Sequence, residues 1–361
     1  MVRLKIDKHE IEAEVGMTLM EVVDDMYMQL TGDRNYVNLI LPRLCNHEAL
    51  EPYGACRLCL VEVEKKGRSK LETSCNYIIK EDEEITVKTN SPRVKKSRKV
   101  NMELLLAKAP HSELLKHMAF QMGVKKVDRY EKRGDNYLEN CIDCGICARA
   151  CEEIVGKSAI TLAGKGTDKH VSTPYATASK DCIGCGLCYH LCPTNAINME
   201  EKDGKRTIWG KEFNLVACES CGEYYATEEM IKHKKGLLKD VKLPKDFFTK
   251  CQKCYDKEDD EKVEIDTQYV IDIKKDICKD CKRCVDACPK GLLSKTEEFN
   301  KKGYATIRWD PVPRGLKKEH LESIKDLEKL TCAGCQACYR ACPESSIDIY
   351  TKKEGKVKIL K

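Results

Sequence analysis

Aromatic side chains are scarce, at 6% of 361 residues with only five Phe and two Trp, which argues against one large aromatic core. Long apolar runs are missing as well: no stretch approaches the ~20 consecutive apolar residues of a membrane-spanning helix. The opening MVRLKIDKHEIEAEVG alternates apolar and charged residues and holds no apolar leader segment, so a cytoplasmic location is expected. Fingerprints for nucleotides are lacking. Gly164-Lys165-Gly166-Thr167 has neither a third glycine nor a flanking β–α unit, and the glycine that Gly156-Lys157-Ser158 would need upstream is Cys151. No Ser–His–Asp or paired-carboxylate pattern stands out, so no catalytic side chain is expected. The net charge of +5 is mild, and the densest basic run, Arg93-Val94-Lys95-Lys96-Ser97-Arg98-Lys99, follows Ser91-Pro92 and reads as the polar start of a helix. No aromatic platform accompanies it, so nucleic-acid binding is not expected.

What the chain does have is cysteine: 24 residues in six groups of four, with none left over. Disulfides or metal explain so many thiols, and a cytoplasmic chain favours metal. Cys45, Cys56, Cys59 and Cys75 are spaced C-x10-C-x2-C-x15-C. Four groups share the spacing C-x2-C-x2-C-x3-C: Cys141, Cys144, Cys147, Cys151; Cys182, Cys185, Cys188, Cys192; Cys278, Cys281, Cys284, Cys288; and Cys332, Cys335, Cys338, Cys342. The remaining group, Cys218, Cys221, Cys251 and Cys254, is spaced C-x2-C-x29-C-x2-C.

The fourfold repeat suits a 4Fe–4S cube. Three thiolates on one tight loop each reach a different iron, and the x3 step carries the fourth cysteine into a helix that faces away from its own loop. In two-cluster ferredoxins that fourth cysteine ligates the other cluster. The expected sets are therefore Cys141, Cys144, Cys147 with Cys192; Cys182, Cys185, Cys188 with Cys151; Cys278, Cys281, Cys284 with Cys342; and Cys332, Cys335, Cys338 with Cys288. Three groups end in proline (Pro193, Pro289, Pro343), whereas Glu152 follows Cys151. Zinc is the competing reading, but zinc sites use paired C-x2-C knuckles rather than three cysteines in one loop.

Residues 1–90 carry a different pattern. Val2, Leu4 and Ile6 alternate with polar residues, as do Ile11, Ala13 and Val15, and the intervening Asp7-Lys8-His9-Glu10 makes a hairpin. Thr18-Leu19-Met20-Glu21 has capping-box spacing ahead of a helix, and Leu60–Val63 and Ile85–Val87 read as strands. This is the outline of a β-grasp ferredoxin, with Cys45, Cys56, Cys59 and Cys75 holding a 2Fe–2S cluster. The stretches Leu44-Cys45…Tyr53-Gly54-Ala55-Cys56-Arg57-Leu58-Cys59-Leu60-Val61-Glu62-Val63, Cys141–Glu153 and Asp181–Cys188 resemble the N-terminal part of iron-only hydrogenases and of the large iron–sulfur subunit of respiratory complex I, over about residues 1–200. That family usually adds a site with one His and three Cys ligands. Here residues 101–140 contain no cysteine, and His111 and His117, within a Leu104–Gly123 segment that reads as helix, are expected to be surface or packing side chains rather than ligands. The hydrogen-forming domain and the molybdenum or tungsten cofactor domain of related enzymes are absent from this sequence.

The Cys218/Cys221/Cys251/Cys254 group suits a tetrahedron of thiolates, either structural zinc or rubredoxin-type iron, with zinc favoured because Tyr255 replaces the glycine a rubredoxin places after its second knuckle. The expected architecture is modular α+β: a 2Fe–2S β-grasp domain (1–95), a helical linker (96–135), a two-cluster 4Fe–4S ferredoxin domain (136–205), a zinc-ribbon-like module (214–258) with a helix-like Glu228–Asp240 segment, and a second two-cluster ferredoxin domain (266–352). Cofactors would be one 2Fe–2S cluster, four 4Fe–4S clusters and one Zn2+. The resemblance implies a non-catalytic electron-transfer subunit in a hetero-oligomeric complex. Its partners would be flavoprotein subunits that oxidise NAD(P)H, a small thioredoxin-like 2Fe–2S subunit, and ferredoxin. The missing hydrogen site makes it similar to the hydrogenase-like subunit of Sporomusa-type electron-bifurcating transhydrogenases. Subunits of NAD-linked hydrogenases, formate dehydrogenases or aldehyde oxidoreductases, and a free polyferredoxin, are the alternatives.

Overall fold

The computed structural model of the chain describes residues 1–251 except 33, 48, 82–83, 125–126, 128–129, 131–137 and 240–244, and further on 254, 269–279, 283–288, 290, 292–301, 304–309, 331–332, 338, 342, 346–351 and 357–360.

Strands β1 (Val2–Ile6) and β2 (His9–Ala13) pair antiparallel with Ile6 opposite His9. The turn is therefore only Asp7-Lys8, shorter than the sequence suggests, because Asp7 adopts a left-handed φ of 52° and lets His9 and Glu10 join the strand. Helix α1 (Leu19–Thr31) opens on the expected capping box: Thr18 accepts from the Glu21 amide, and Glu21 accepts from the Thr18 amide. After α2 (Arg34–Ile40), strands β3 (Leu60–Lys65), β4 (Arg68–Thr73) and β5 (Ile85–Lys88) complete most of the sheet, with β5 parallel to β1 and antiparallel to β3. Its core packs Leu4, Ile6 and Ile11 against Leu19, Val22, Val23 and Met26 of α1, and each fully buried aliphatic contributes about 1.5–3 kcal/mol. The sixth strand comes from the far end of the sequence: Val357–Leu360 pairs antiparallel with β2, giving the order β16-β2-β1-β5-β3-β4 when that strand is β16.

Two helices follow. In α3 (Pro92–Lys108) Ser91 caps the amide of Val94 and Pro92 fills the first turn, so the basic run lies on a helix as expected. The Leu104–Gly123 segment is not one helix. Pro110 has no amide to donate and forces Ala109 out of the helical region (φ −134°, ψ 66°), so α3 ends at Lys108 and α4 (Glu113–Gln121) starts afresh on the Ser112 cap.

The region of the first two C-x2-C-x2-C-x3-C groups holds two short helices, α5 (Ile146–Arg149) and α6 (Leu187–Leu191), and a hairpin of β6 (Thr161–Ala163) and β7 (His170–Ser172). Strands β8 (Met199–Lys202), β9 (Lys205–Ile208), β10 (Lys211–Ala217) and β11 (Tyr224–Thr227) then form an antiparallel sheet, followed by α7 (Glu228–Leu237). This sheet bridges the boundary expected near residues 205–214: β10 runs from the first ferredoxin unit straight into Cys218. In the second unit β12 (Tyr269–Ile273) pairs with β15 (Ile347–Thr351), and β13 (Leu293–Phe299) with β14 (Ala305–Trp309). Among the described residues no helix is long and apolar enough to cross a membrane.

Candidate metal centres

Cys45, Cys56 and Cys59 lie in the loop leading to β3, and Cys75 just beyond β4; all four are buried. The Cys56 amide donates to Cys45 Sγ at 3.3 Å, and Ser74 donates from both its amide and hydroxyl to the Cys59 carbonyl, pinning the Cys75 end of the loop to the Cys59 end. The thiols interact in pairs. The contact with Cys45 lowers the Cys56 thiol while Cys45 is raised, and the contact with Cys75 lowers the Cys59 thiol while Cys75 is raised.

In the first ferredoxin unit one cavity is lined by Cys141, Cys144, Cys147 and Cys192, and a second by Cys151, Cys182, Cys185 and Cys188, otherwise mainly by apolar side chains. The fourth cysteine of each run therefore sits with the opposite loop. Burial pushes the Cys144 and Cys185 thiols up to about 12, and Cys147 well above its ordinary value. Thiols buried in this way are stable as thiolates only beside compensating positive charge, which a cluster's irons would supply. Gly145 and Gly186 start α5 and α6 at φ 74° and 73°. Gly184, at φ 65°, allows no side chain, since a Cβ there would lie 2.8 Å from the Phe213 ring; the matching position in the other loop is Asp143, at φ 53°. Glu152 in place of proline also has a structural consequence. Helix α5 continues through a π turn over Ala150–Ile154, closed by the Val155 amide on the Ala150 carbonyl, and this turn carries Cys151. Cys192, by contrast, ends α6 just before Pro193. As a result Cys192 Sγ accepts an amide from four residues on, Ala196, whereas Cys151 Sγ accepts from eight residues on, Ala159.

Sequence reasoning missed how the first two sites join. Leu44, Cys45, Leu50, Cys56 and Leu58 share one apolar core with Ile142, Cys144, Ile146 and Leu187. Arg149 donates to the carbonyls of Glu51 and Cys45, Glu153 accepts from the Glu51 amide, and the Tyr53 ring lies 5.2 Å from both the Arg149 guanidinium and the Lys169 ammonium. The long x10 gap between Cys45 and Cys56 is thus a strap laid over the neighbouring unit; its length was the one visible signal. Arg98 is a second omission: this buried member of the basic run donates to the Leu60 and Ile40 carbonyls.

In the second ferredoxin unit Cys278, Cys284, Cys288, Cys332, Cys338 and Cys342 share one core with Ile271, Leu293, Ile307 and Ile347. The Leu292 amide donates to Cys288 Sγ and the Ser346 amide to Cys342 Sγ, each at 3.4 Å and four residues on, as at Cys192. Cys281 and Cys335 lie outside the described residues.

The sulfurs of Cys218, Cys221, Cys251 and Cys254 all lie within 4.8 Å of one another. A tetrahedral metal with bonds of about 2.3 Å spaces its sulfurs about 3.8 Å apart, so the set fits one ion. Burial alone would raise Cys218, but amides of Cys251, Cys221 and Ser220 outweigh it and hold the thiol below its ordinary value. Thr227, the cap of α7, donates its hydroxyl to the Ile183 carbonyl at 2.6 Å and so ties this module to the Cys182 loop. Of the two non-ligand readings for His111 and His117, surface or packing, the structure has the first: both are exposed, His117 next to Gln121.

These sites define an iron–sulfur protein. Residues 1–91 match a 2Fe–2S iron–sulfur cluster binding domain, and residues 137–199 and 277–346 each match a 4Fe–4S dicluster domain. The chain is similar to an NADH-quinone oxidoreductase subunit of Rhizobium meliloti, 27% identical over 245 residues that make up 62% of this chain and 27% of that protein. It is also similar to the mitochondrial 78 kDa subunit of NADH-ubiquinone oxidoreductase from Neurospora crassa, 29% identical over 230 residues, 58% of this chain and 29% of that one. The chain thus spans about a third or less of the length of these relatives. A chain of an NAD+-reducing [NiFe]-hydrogenase structure aligns at a TM-score of 0.38 with 22% identity, over 53% of this chain and 78% of that one.

Proposed function

We propose that this protein is an electron-transfer subunit that relays single electrons along five iron–sulfur clusters. The observation that carries the reading is the pair of cavities in the first ferredoxin unit, each lined by three cysteines of one loop and the fourth of the other, sharing an apolar core with Cys45 and Cys56. Cys45, Cys56, Cys59 and Cys75 would hold the 2Fe–2S cluster. The cubanes would be held by Cys141, Cys144, Cys147, Cys192; by Cys182, Cys185, Cys188, Cys151; by Cys278, Cys281, Cys284, Cys342; and by Cys332, Cys335, Cys338, Cys288. Bound clusters supply one-electron exchange. The chain's own residues supply the thiolates, keep water out with Ile142, Ile146, Ile160 and Leu187, and fix the spacing of the first two sites through Arg149, Glu153 and Tyr53. Zinc at Cys218, Cys221, Cys251 and Cys254 would clamp the linker between the ferredoxin units.

The setting that best fits the ligand inventory is an electron-bifurcating transhydrogenase complex. Electrons would pass between flavoprotein subunits that oxidise NAD(P)H and ferredoxin, with a small thioredoxin-like 2Fe–2S subunit alongside. Anaerobic purification from the native source tests both levels. About 18 iron atoms and one zinc per chain, co-eluting with flavoprotein subunits, are expected. Little acid-labile sulfide would refute the electron-transfer reading. A chain that elutes alone, or with a nickel–iron subunit, would refute the transhydrogenase assignment and leave a free polyferredoxin or a hydrogenase subunit.

A further inference from the structure

We infer that the two cubanes of the first ferredoxin unit differ in reduction potential, the one at Cys182, Cys185, Cys188 and Cys151 lying above the one at Cys141, Cys144, Cys147 and Cys192, and that Trp209, Arg206 and Asp143 set this order. The inference rests on the ligand sets proposed above.

The two loops offer nearly the same backbone. Cys-Ile-Asp-Cys-Gly in one answers Cys-Ile-Gly-Cys-Gly in the other, the glycines that start α5 and α6 have matching φ, and each crossing sulfur accepts one amide, from Ala159 at 3.3 Å or from Ala196 at 3.2 Å. These backbone contributions match between the sites; Cys192 Sγ also meets the Thr194 hydroxyl, at 3.8 Å, a longer contact than the 3.3 Å indole donor on the other side, so the side chains decide.

On the Cys182 side the turn from β9 to β10 is Trp209-Gly210, both residues left-handed at φ 54° and 70°, and it delivers the indole Nε1–H to Cys188 Sγ at 3.3 Å. Arg206, on β9, is buried and donates from Nη1 to the Gly184 carbonyl at 2.6 Å. Its ion-pair partner Glu201 is 46% exposed against 10% for the arginine side chain, so the cationic end of the pair lies at the loop and the anionic end in solvent. Lys211 adds a second cation on the Cys182 carbonyl at 2.8 Å, and its effect on Cys182 exceeds the opposing effect of the Glu229 carboxylate. On the Cys141 side the ion pair is reversed: Asp143, 3% exposed, sits in the loop next to Cys141, and Lys108, 37% exposed, holds it from outside at 2.8 Å.

Reduction adds negative charge to a cluster. A donor to sulfur and a buried cation favour that state and raise the potential; a buried carboxylate opposes it. With clusters held by these two ligand sets, the downhill direction would carry one electron from the Cys141-side set, oxidised in the exchange, to the Cys182-side set, reduced in it, with no bond broken and no proton moved.

The test is a redox titration of the full chain, followed by paramagnetic resonance, for wild type, Trp209→Phe, Arg206→Gln, Arg206→Lys and Asp143→Asn, with iron and sulfide counted in each. Trp209→Phe and Arg206→Gln should move the same single midpoint to more negative values, Arg206→Lys should move it less, and Asp143→Asn should move a different midpoint to more positive values. In wild type the Trp209-sensitive midpoint should be the higher, so that the electron favours that centre about tenfold or more, equivalent to 59 mV for a one-electron couple. Where Arg206→Gln loads incompletely, Trp209→Phe, which keeps most of the buried aromatic surface, carries the test. A Trp209-sensitive midpoint below the Asp143-sensitive one, or fully loaded variants with no midpoint moved, would overturn the order. Wild type without iron and sulfide would sink the ligand sets themselves.

Discussion

Replacing Arg98 by methionine should loosen the 2Fe–2S site selectively. Arg98 lies on α3 and is buried; Nε and Nη2 donate to the Leu60 carbonyl at 3.0 and 2.6 Å, and Nη1 donates to the Ile40 carbonyl at 2.9 Å. Leu60 is the residue after Cys59, so the guanidinium ties the helix to the strand that carries a cluster thiol. Burial lowers the Arg98 pKa to about 10, which still leaves it charged at neutral pH. Methionine fills much of the same volume but orphans two carbonyls, at about 1–3 kcal/mol each. Relief from burying a charge returns part of that, and a net loss of about 2–4 kcal/mol remains. If the cluster is lost through local opening of this region, 2 kcal/mol alone speeds the loss by about 30-fold. The assay is anaerobic chelator challenge, with the 2Fe–2S and 4Fe–4S signals followed separately by paramagnetic resonance. Arg98→Lys, which keeps the charge but replaces the two-armed fork with a single ammonium, should fall between the two. Loss of the 2Fe–2S signal within twofold of wild type, or equal acceleration at every centre, would refute the reasoning.

Cys151→Ala should damage the cubane of the Cys182 loop and spare that of its own loop; the altered signal should be the one that Trp209→Phe shifts, and alteration of the other would reject crossed ligation. Gly184→Ala should lower iron content or stability by about 2 kcal/mol or more, because left-handed strain adds to a clash with Phe213, whereas Gly210→Ala, with no neighbour within 4 Å, should cost only the strain of about 1–2 kcal/mol; iron analysis and thermal melts compare the two. Tyr53→Ala combined with Arg149→Met should expose residues 46–55 to hydrogen exchange with iron content unchanged; protection equal to wild type would show that the strap is held by other contacts. Cys221→Ser, at the one exposed thiol of the four-cysteine module, should release that metal to a mild chelator while the iron–sulfur signals stay intact, and retention of zinc would exclude Cys221 as a ligand.

The grouping of the cysteines was legible in the sequence by itself, because a C-x2-C-x2-C loop is a local object: the reach of three thiolates toward one cluster depends on a dozen consecutive residues. So were the Thr18 capping box and the Ser91 start of α3, which depend on neighbours three positions away. Tertiary structure alone decided the rest. Leu360 pairs beside Glu10, Arg149 reaches Cys45, Arg98 reaches Ile40, and Trp209 reaches Cys188. Each partnership spans twenty to three hundred and fifty residues, and no periodicity marks it. Arg206 and Asp143 read in the sequence as two charges in a charged background; only the fold buries them with opposite ends facing the two cysteine loops. The physical reason is that solvent screens a charge on an open chain, and its strength toward a metal centre appears only once packing has removed the water between them.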